Sequence, residues 1–415
     1  MATATDTKAF PVSLPTSTPV LDALRPVSGR RPARLTAGEY FFVSSLVIAL
    51  LTTLPRLRQW WASFSSPEVF ARALVLPVAA FLMAWLIHEL GHFAAAWLAG
   101  FRVSPRSTGV HGHGNILNVS DCLRVGVLSL EPRGMRNLRG RLAIIFLGGP
   151  FAGLLVAAVL EFGVNWSKAG MVLQGRVHLL SAFCVLLSLA SLLPDTGHSG
   201  DFSDGARLVM LLRNDEKAAR VYAVLQMQQW FAEGVHPSEW EPGLVHKAIS
   251  GDDQSRDAVV GQWLGYLWAA ERQDISAAAK HLEDALSAPA SYSGNLGDRL
   301  YLEAAVFQAW FRDNPAKARA WAALIRRGGL TAFEQRRLEI ALLWVDGRLF
   351  DAFEKMPDYF VSLKQLPESP ARKLAEKSAM EWKRQMESRM LTRAWRSMYN
   401  MSQQVESSAP ADTLV

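Results

Sequence analysis

The chain has 415 residues, half of them hydrophobic and a fifth charged, with a formal net charge of +6. That length has room for two structural units, and the apolar share leans towards membrane content. Lys and Arg are spread over tails and loops without interleaved aromatics, which sets nucleic acid aside as a partner. Cys122 and Cys184 cannot build a disulfide framework and lack metal-ligand spacing, so both are expected to be reduced and structural.

Residues 1–38 carry "FPVSLPTSTPV" and "RPVSGRRPAR". This Pro-, Ser- and Thr-rich stretch predicts a disordered arm, not a cleavable signal, because no apolar run follows at the usual distance. Four apolar segments come next, at 40–54, 73–100, 142–163 and 177–194. A membrane-crossing helix takes about 20 predominantly apolar residues. The second and third segments meet this easily and the first and fourth come close, so residues 39–214 are expected to form a membrane unit of about four spans.

Arg25, Arg30, Arg31 and Arg34 precede the first segment, and the 101–141 loop holds Arg102, Arg106, Arg124, Arg133, Arg136, Arg139 and Arg141. The other two loops carry only Arg56, Arg58 and Lys168. The excess of positive charge places both chain ends and the long loop on the cytoplasmic side. The expectation is a multi-pass integral protein, with a layout that favours a bacterial inner membrane. His111 and His113, in "GVHGHGN", have no third partner in register and are expected to be loop residues.

From about residue 215 to 400 the texture becomes amphipathic. Helical patterns pair up around polar turns near Asp274, Asn314 and Gly347. The spacing of these turns resembles tetratricopeptide-like hairpins, with an ordinary helical bundle as the alternative. Trp263, Trp268, Trp310, Trp321 and Trp344 are expected in its core. "MEWKRQMESRMLTRAWRSM" is a basic amphipathic helix that anionic lipid or bulk solvent would suit. Residues 401–415 are expected to be a disordered tail. The fold class is therefore all-α: a polytopic membrane bundle followed by a soluble helical-hairpin domain on the cytoplasmic side.

The chemistry concentrates in "WLIHELGHFAAAW" at 85–97, where His88, Glu89 and His92 interrupt a predicted span. Three ionisable groups in five membrane positions are costly and point to function. The pattern is H-E-x-x-H: on a helix, imidazoles at i and i+4 project from one face, close enough to share a tetrahedral ion. Neutral imidazole suits zinc, and Glu89 is then placed to take a proton from water that the ion has acidified. A catalytic zinc needs a third protein ligand and a vacant position. Downstream, "SLLPDTGHSGDFSDGARLVMLL" offers Asp204, at the start of an apolar helix, and His198, in the preceding loop. Backbone amides at a helix start favour and orient a carboxylate.

Over residues 70–215 the chain resembles the site-2 protease family of intramembrane zinc metalloproteases. The likeness rests on "HELGH", then "GGPFAG", then "LLP" followed by "SDGARL". It implies His88, His92 and Asp204 as metal ligands for Zn2+, Glu89 as catalytic base, and hydrolysis of peptide bonds in membrane-embedded or membrane-proximal segments of a transmembrane substrate. Gly153 and Ser191 stand where members often carry Asn, which implies that substrate is held differently here. Gly148, Gly149 and Gly153 also have a packing account, since small residues let helices approach closely in lipid. The other reading of the chain is a membrane-anchored scaffold with weak or no catalysis, whose helical domain recruits a cytoplasmic protein partner.

Overall fold

The computed structural model describes residues 67–105, 124–125, 128–163, 171–195, 202–251, 255–287, 295–366 and 368–407. The N-terminal arm, the apolar segment at 40–54, Cys122, His111, His113, His198 and residues 408–415 lie outside the described residues.

Three of the four apolar segments form helices long and apolar enough to cross a membrane, over Val75–Leu98, Leu138–Phe162 and Leu173–Leu192. They belong to α1 (Pro67–Leu98), α2 (Leu138–Ala158, continued by a π-helical turn over Val159–Gly163) and α3 (Met171–Leu192). The three pack on one another through small side chains. Ala80, Ala84, Ala157 and Cys184 are buried together, with Phe183 set edge-on to Phe81 at 5.9 Å. Their outward faces are apolar, with Val75, Leu82, Trp97, Phe151 and Phe162 exposed. That is the pattern expected of helices whose solvent is hydrocarbon.

Between α1 and α2 the basic stretch expected to be a loop contains a small antiparallel sheet. Its strands are β1 (Phe101–Pro105), β2 (Arg124–Val125) and β3 (Leu128–Pro132), in the order β1-β3-β2, with Phe101 opposite Pro132. Runs of two to five residues give too short an alternation for a sequence to announce. Gly100, at φ 73°, makes the turn from α1 into β1. Arg141 closes the end of α1: its guanidinium donates to the carbonyls of Ala99 and Gly100, at 2.7 and 2.9 Å, and to that of Gly134, and it lies over the Phe101 ring. A helix terminus carries such unsatisfied carbonyls, and a basic side chain is a common way to cap them.

After α3 the chain returns through α4 (Asp204–Arg213) and α5 (Glu216–Ala232). Asn214, in the left-handed region, joins them, and the Asp215 carboxylate caps α5 by accepting from the Ala218 amide at 3.0 Å. Apart from a short 3-10 turn at Pro237–Glu239, the remaining elements are α-helices: α6 (Pro242–Ile249), then the pairs α7 (Arg256–Glu271) with α8 (Ile275–Ser287), α9 (Asn295–Trp310) with α10 (Pro315–Ala323), and α11 (Ala332–Val345) with α12 (Leu349–Glu354), followed by α13 (Met356–Lys364) and α14 (Pro370–Ser407). The pairs turn where expected, at residues 272–274, 311–314 and 346–348. In each turn one residue sits at positive φ: Gln273, Asp313 and Gly347. Trp263, Trp310, Trp321 and Trp344 are buried, and Trp268 packs, part-exposed, against the cluster that holds Trp263 and Trp321.

Two boundaries differ from expectation. Residues 401–407, expected to be disordered, continue α14. "MSQQVES" contains no Gly or Pro, and extending an existing helix needs no new nucleus. The division at residue 215 also passes beside a shared element. Ala218, Val221 and Leu225 of α5 pack with Phe146 of α2 and Met210 of α4, whereas Ala223, Val224, Met227 and Phe231 pack with Trp240, Trp263 and the hairpins.

Candidate metal centre

His88 and His92 lie one turn apart on α1, their ring centroids 4.7 Å apart and nearly perpendicular. Their Nε2 atoms approach to 3.1 Å. The third group comes from 112 residues along the chain: Asp204 Oδ2 lies 3.4 Å from His88 Nε2 and 3.3 Å from His92 Nε2. The three can hold a metal ion, one ligand atom from each lying within 4.8 Å of the others. Among the described residues no other group of His, Cys, Asp and Glu side chains converges in this way. Glu89, in the same turn of α1, is 9% exposed.

These separations fit a tetrahedral ion. Ligand atoms 2.0–2.1 Å from zinc and tetrahedrally disposed are about 3.3 Å from each other. The donor chemistry agrees, since two imidazole nitrogens and one carboxylate oxygen are ligand types that zinc takes. Asp204 is ionised there. Burial works against its charge, but the neighbouring imidazoles of His88 and His92 outweigh it and hold the carboxyl at about 2.

His92 and the helix start that carries Asp204 are held by different elements. His92 is almost wholly buried, and its Nδ1 donates to the Ile145 carbonyl of α2 at 2.8 Å. A neutral ring with its proton on Nδ1 keeps the Nε2 lone pair for a metal, the usual arrangement behind a ligating histidine. His88 Nδ1 has no hydrogen-bond partner among the described residues. Asp204 is the first residue of α4. Ser203 caps that helix, its Oγ accepting from the Ala206 and Asp195 amides at 3.1 and 3.0 Å and donating to the Leu193 carbonyl at 2.6 Å. The capping serine thus ties the start of α4 to the end of α3.

The glycines of the three motifs mark where backbones meet. A Cβ at Gly91 would overlap the Gly148 carbonyl and the Ala152 methyl, and one at Gly148 would overlap Ala95. These two glycines set the crossing of α1 and α2. A Cβ at Gly149 would occupy the His92 imidazole, so this glycine makes the space the ring fills. A Cβ at Gly205 would collide with the Leu192 carbonyl, which explains why Asp204 is followed by Gly: the helix start must lie directly on the end of α3. At Gly153 the close neighbour is the buried Ser188 Oγ. Ser191 gives its hydroxyl proton to the Ser188 carbonyl of its own helix at 3.1 Å.

The residues read from the pattern, His88, His92 and Asp204, are therefore brought together. Ile145 orients the His92 ring and Ser203 caps the helix of Asp204. Ile145 acts through its carbonyl and so leaves no side-chain signal, whereas a Ser before Asp-Gly is a legible N-cap. Set against models of known families, curated proteins and solved structures, the chain matches none of them.

Proposed function

We propose that the chain is an intramembrane zinc metalloprotease. The observation that carries this reading is the convergence of His88, His92 and Asp204 beside buried Glu89, on helices long and apolar enough to cross a membrane. His88, His92 and Asp204 would hold the ion, whose chemistry when bound is that of a Lewis acid that makes water nucleophilic near neutral pH. Glu89 takes a proton from the attacking water as the new C–O bond forms, and delivers it to the amide nitrogen as the C–N bond breaks. The Ile145 carbonyl keeps the His92 ring in register throughout. A substrate helix hides its peptide carbonyls in its own hydrogen bonds, so it must open locally to reach the site, and a membrane-embedded or membrane-proximal segment is the natural class of substrate.

The test is metal analysis of detergent-purified protein beside a cleavage assay on a transmembrane reporter. About one zinc per chain and zinc-dependent cleavage are expected. Bound zinc without cleavage of any reporter would favour the second reading, a membrane-anchored scaffold that recruits a cytoplasmic protein through its hairpins, for which Gly153 and Ser191 speak. Neither zinc nor cleavage would end the protease reading.

The proposal extends to topology. The arginine-rich flanks of the spans favour both chain ends and the helical region on the cytoplasmic side of a bacterial inner membrane. Lys247 is exposed at the end of α6. Lys247→Cys, in a background lacking Cys122 and Cys184, should stay unlabelled by an impermeant thiol reagent in intact cells and react after lysis. Labelling in intact cells would reverse the orientation.

A further inference from the structure

α4 carries a second buried ionic group one turn beyond Asp204. Arg207 is nearly inaccessible, and its guanidinium lies over the Phe146 ring at 5.4 Å, with Phe202 at 6.0 Å. Arg207 Nη1 is 3.7 Å from Asp257 Oδ2, with side-chain exposures of 3% and 4%. That separation is too long for a hydrogen bond, so the link is Coulombic, and exclusion of water is what makes it strong.

The partners of Arg207 are informative. Phe146 follows Ile145, whose carbonyl orients His92. Asp257 lies in the first turn of α7, the first helix of the hairpins, where the helix start favours an acidic residue. One guanidinium on the helix that begins with Asp204 therefore touches the segment that orients His92 and pairs with the helical region. Any rotation of α4 that withdrew Asp204 from the imidazoles would also pull Arg207 off Phe146 and separate two buried charges of opposite sign.

We infer that Arg207 is a positioning residue for the metal centre, and that the buried Arg207–Asp257 pair makes the metal affinity of the membrane half depend on the helical region. This rests on His88, His92 and Asp204 being metal ligands. The pair holds α4 at the rotation where the Asp204 carboxylate meets both imidazoles. A helical region displaced by a bound partner would loosen the third ligand without touching the membrane.

The experiment uses the full chain in detergent micelles. Zinc affinity is read by competition with a chromophoric chelator, and ligand geometry by the visible spectrum of the Co2+-loaded protein. Arg207→Met and Asp257→Asn should each weaken zinc binding about 10–100-fold, as loss of an outer partner of a ligand does, and should shift the Co2+ bands. The pair of substitutions together should cost no more than either alone, because both break one link. Arg207→Lys, which keeps the charge, should retain the wild-type affinity and spectrum. Should the single variants fail to fold, Arg207→Met with Asp257→Leu removes both charges of the pair and carries the test. Arg299→Met is the control: it breaks another buried pair of the helical region, Arg299–Glu334 at 3.1 Å, and should leave zinc affinity unchanged. Wild-type affinity in the Arg207 and Asp257 variants, or an equal loss in Arg299→Met, would overturn the inference while leaving the metal centre intact. If the wild type binds no zinc and His88→Ala changes nothing, the metal reading itself fails.

Discussion

Glu89→Gln should keep about one zinc per chain and lose cleavage by about 10²–10⁴-fold, the range associated with removing a positioned acid or base. The side chain is buried in the same turn as His88, and the amide has the shape of the carboxylate it replaces, so neither the helix nor the ligands need to move. What disappears is the ability to hold a proton between the attack of water and the departure of the amine. The discriminating measurement is zinc content beside turnover. Full activity with Gln in place would exclude Glu89 as the base and, with it, the mechanism proposed. Loss of zinc together with activity would instead make Glu89 part of the metal-binding set.

Asp204→Ala should be the most damaging change to metal binding. Two imidazoles on one helix remain, without the group that brings charge to the site, and the loss should exceed the ~10–100-fold typical of outer-shell partners. Cleavage should vanish with the metal. The carboxyl is held at about 2 by its neighbours, so Asp204 is ionised throughout the neutral range and the comparison is not complicated by its titration. His198→Ala is the matching experiment, since His198 is the better zinc donor considered in isolation and stands six positions before Asp204 in the sequence. It should keep its zinc and at most slow the reaction. Zinc lost on removing His198 and kept on removing Asp204 would reassign the third ligand without changing the class of chemistry.

The legible parts of this molecule are those with a strong local signal. Two imidazoles and a carboxylate in an apolar run can be recognised because their cost in lipid demands a reason. The hairpin turns were legible because polar breaks at Asp274, Asn314 and Gly347 interrupt long amphipathic patterns. The sheet was not, since β1 and β3 pair residues 23 to 31 positions apart and all its strands are too short to show alternation. Nor were the supports of the site. Ile145 contributes a backbone atom, and Gly149 contributes an absent side chain whose purpose shows only when His92 is seen in the space. Arg207 looks like one more charge on an apolar helix until Phe146 and Asp257 close around it.

The position of α5 has a consequence for how the molecule comes together. Its 17 residues make a rod about 25 Å long. One part of the rod is embedded beside Phe146 and Met210, the other beside Trp240 and Trp263. A rigid rod set in two cores joins them into one cooperative unit, so melting of the hairpins also strips cover from the helix that begins with Asp204. The same holds during synthesis. Until Leu225 has left the ribosome, the apolar face of α4 is bare, and until Asp257 follows, Arg207 lacks its counter-charge. A nascent chain thus presents His88, Glu89 and His92 well before it can brace Asp204, and the three-residue cluster is fully supported only when the last-made half of the protein has folded against the first.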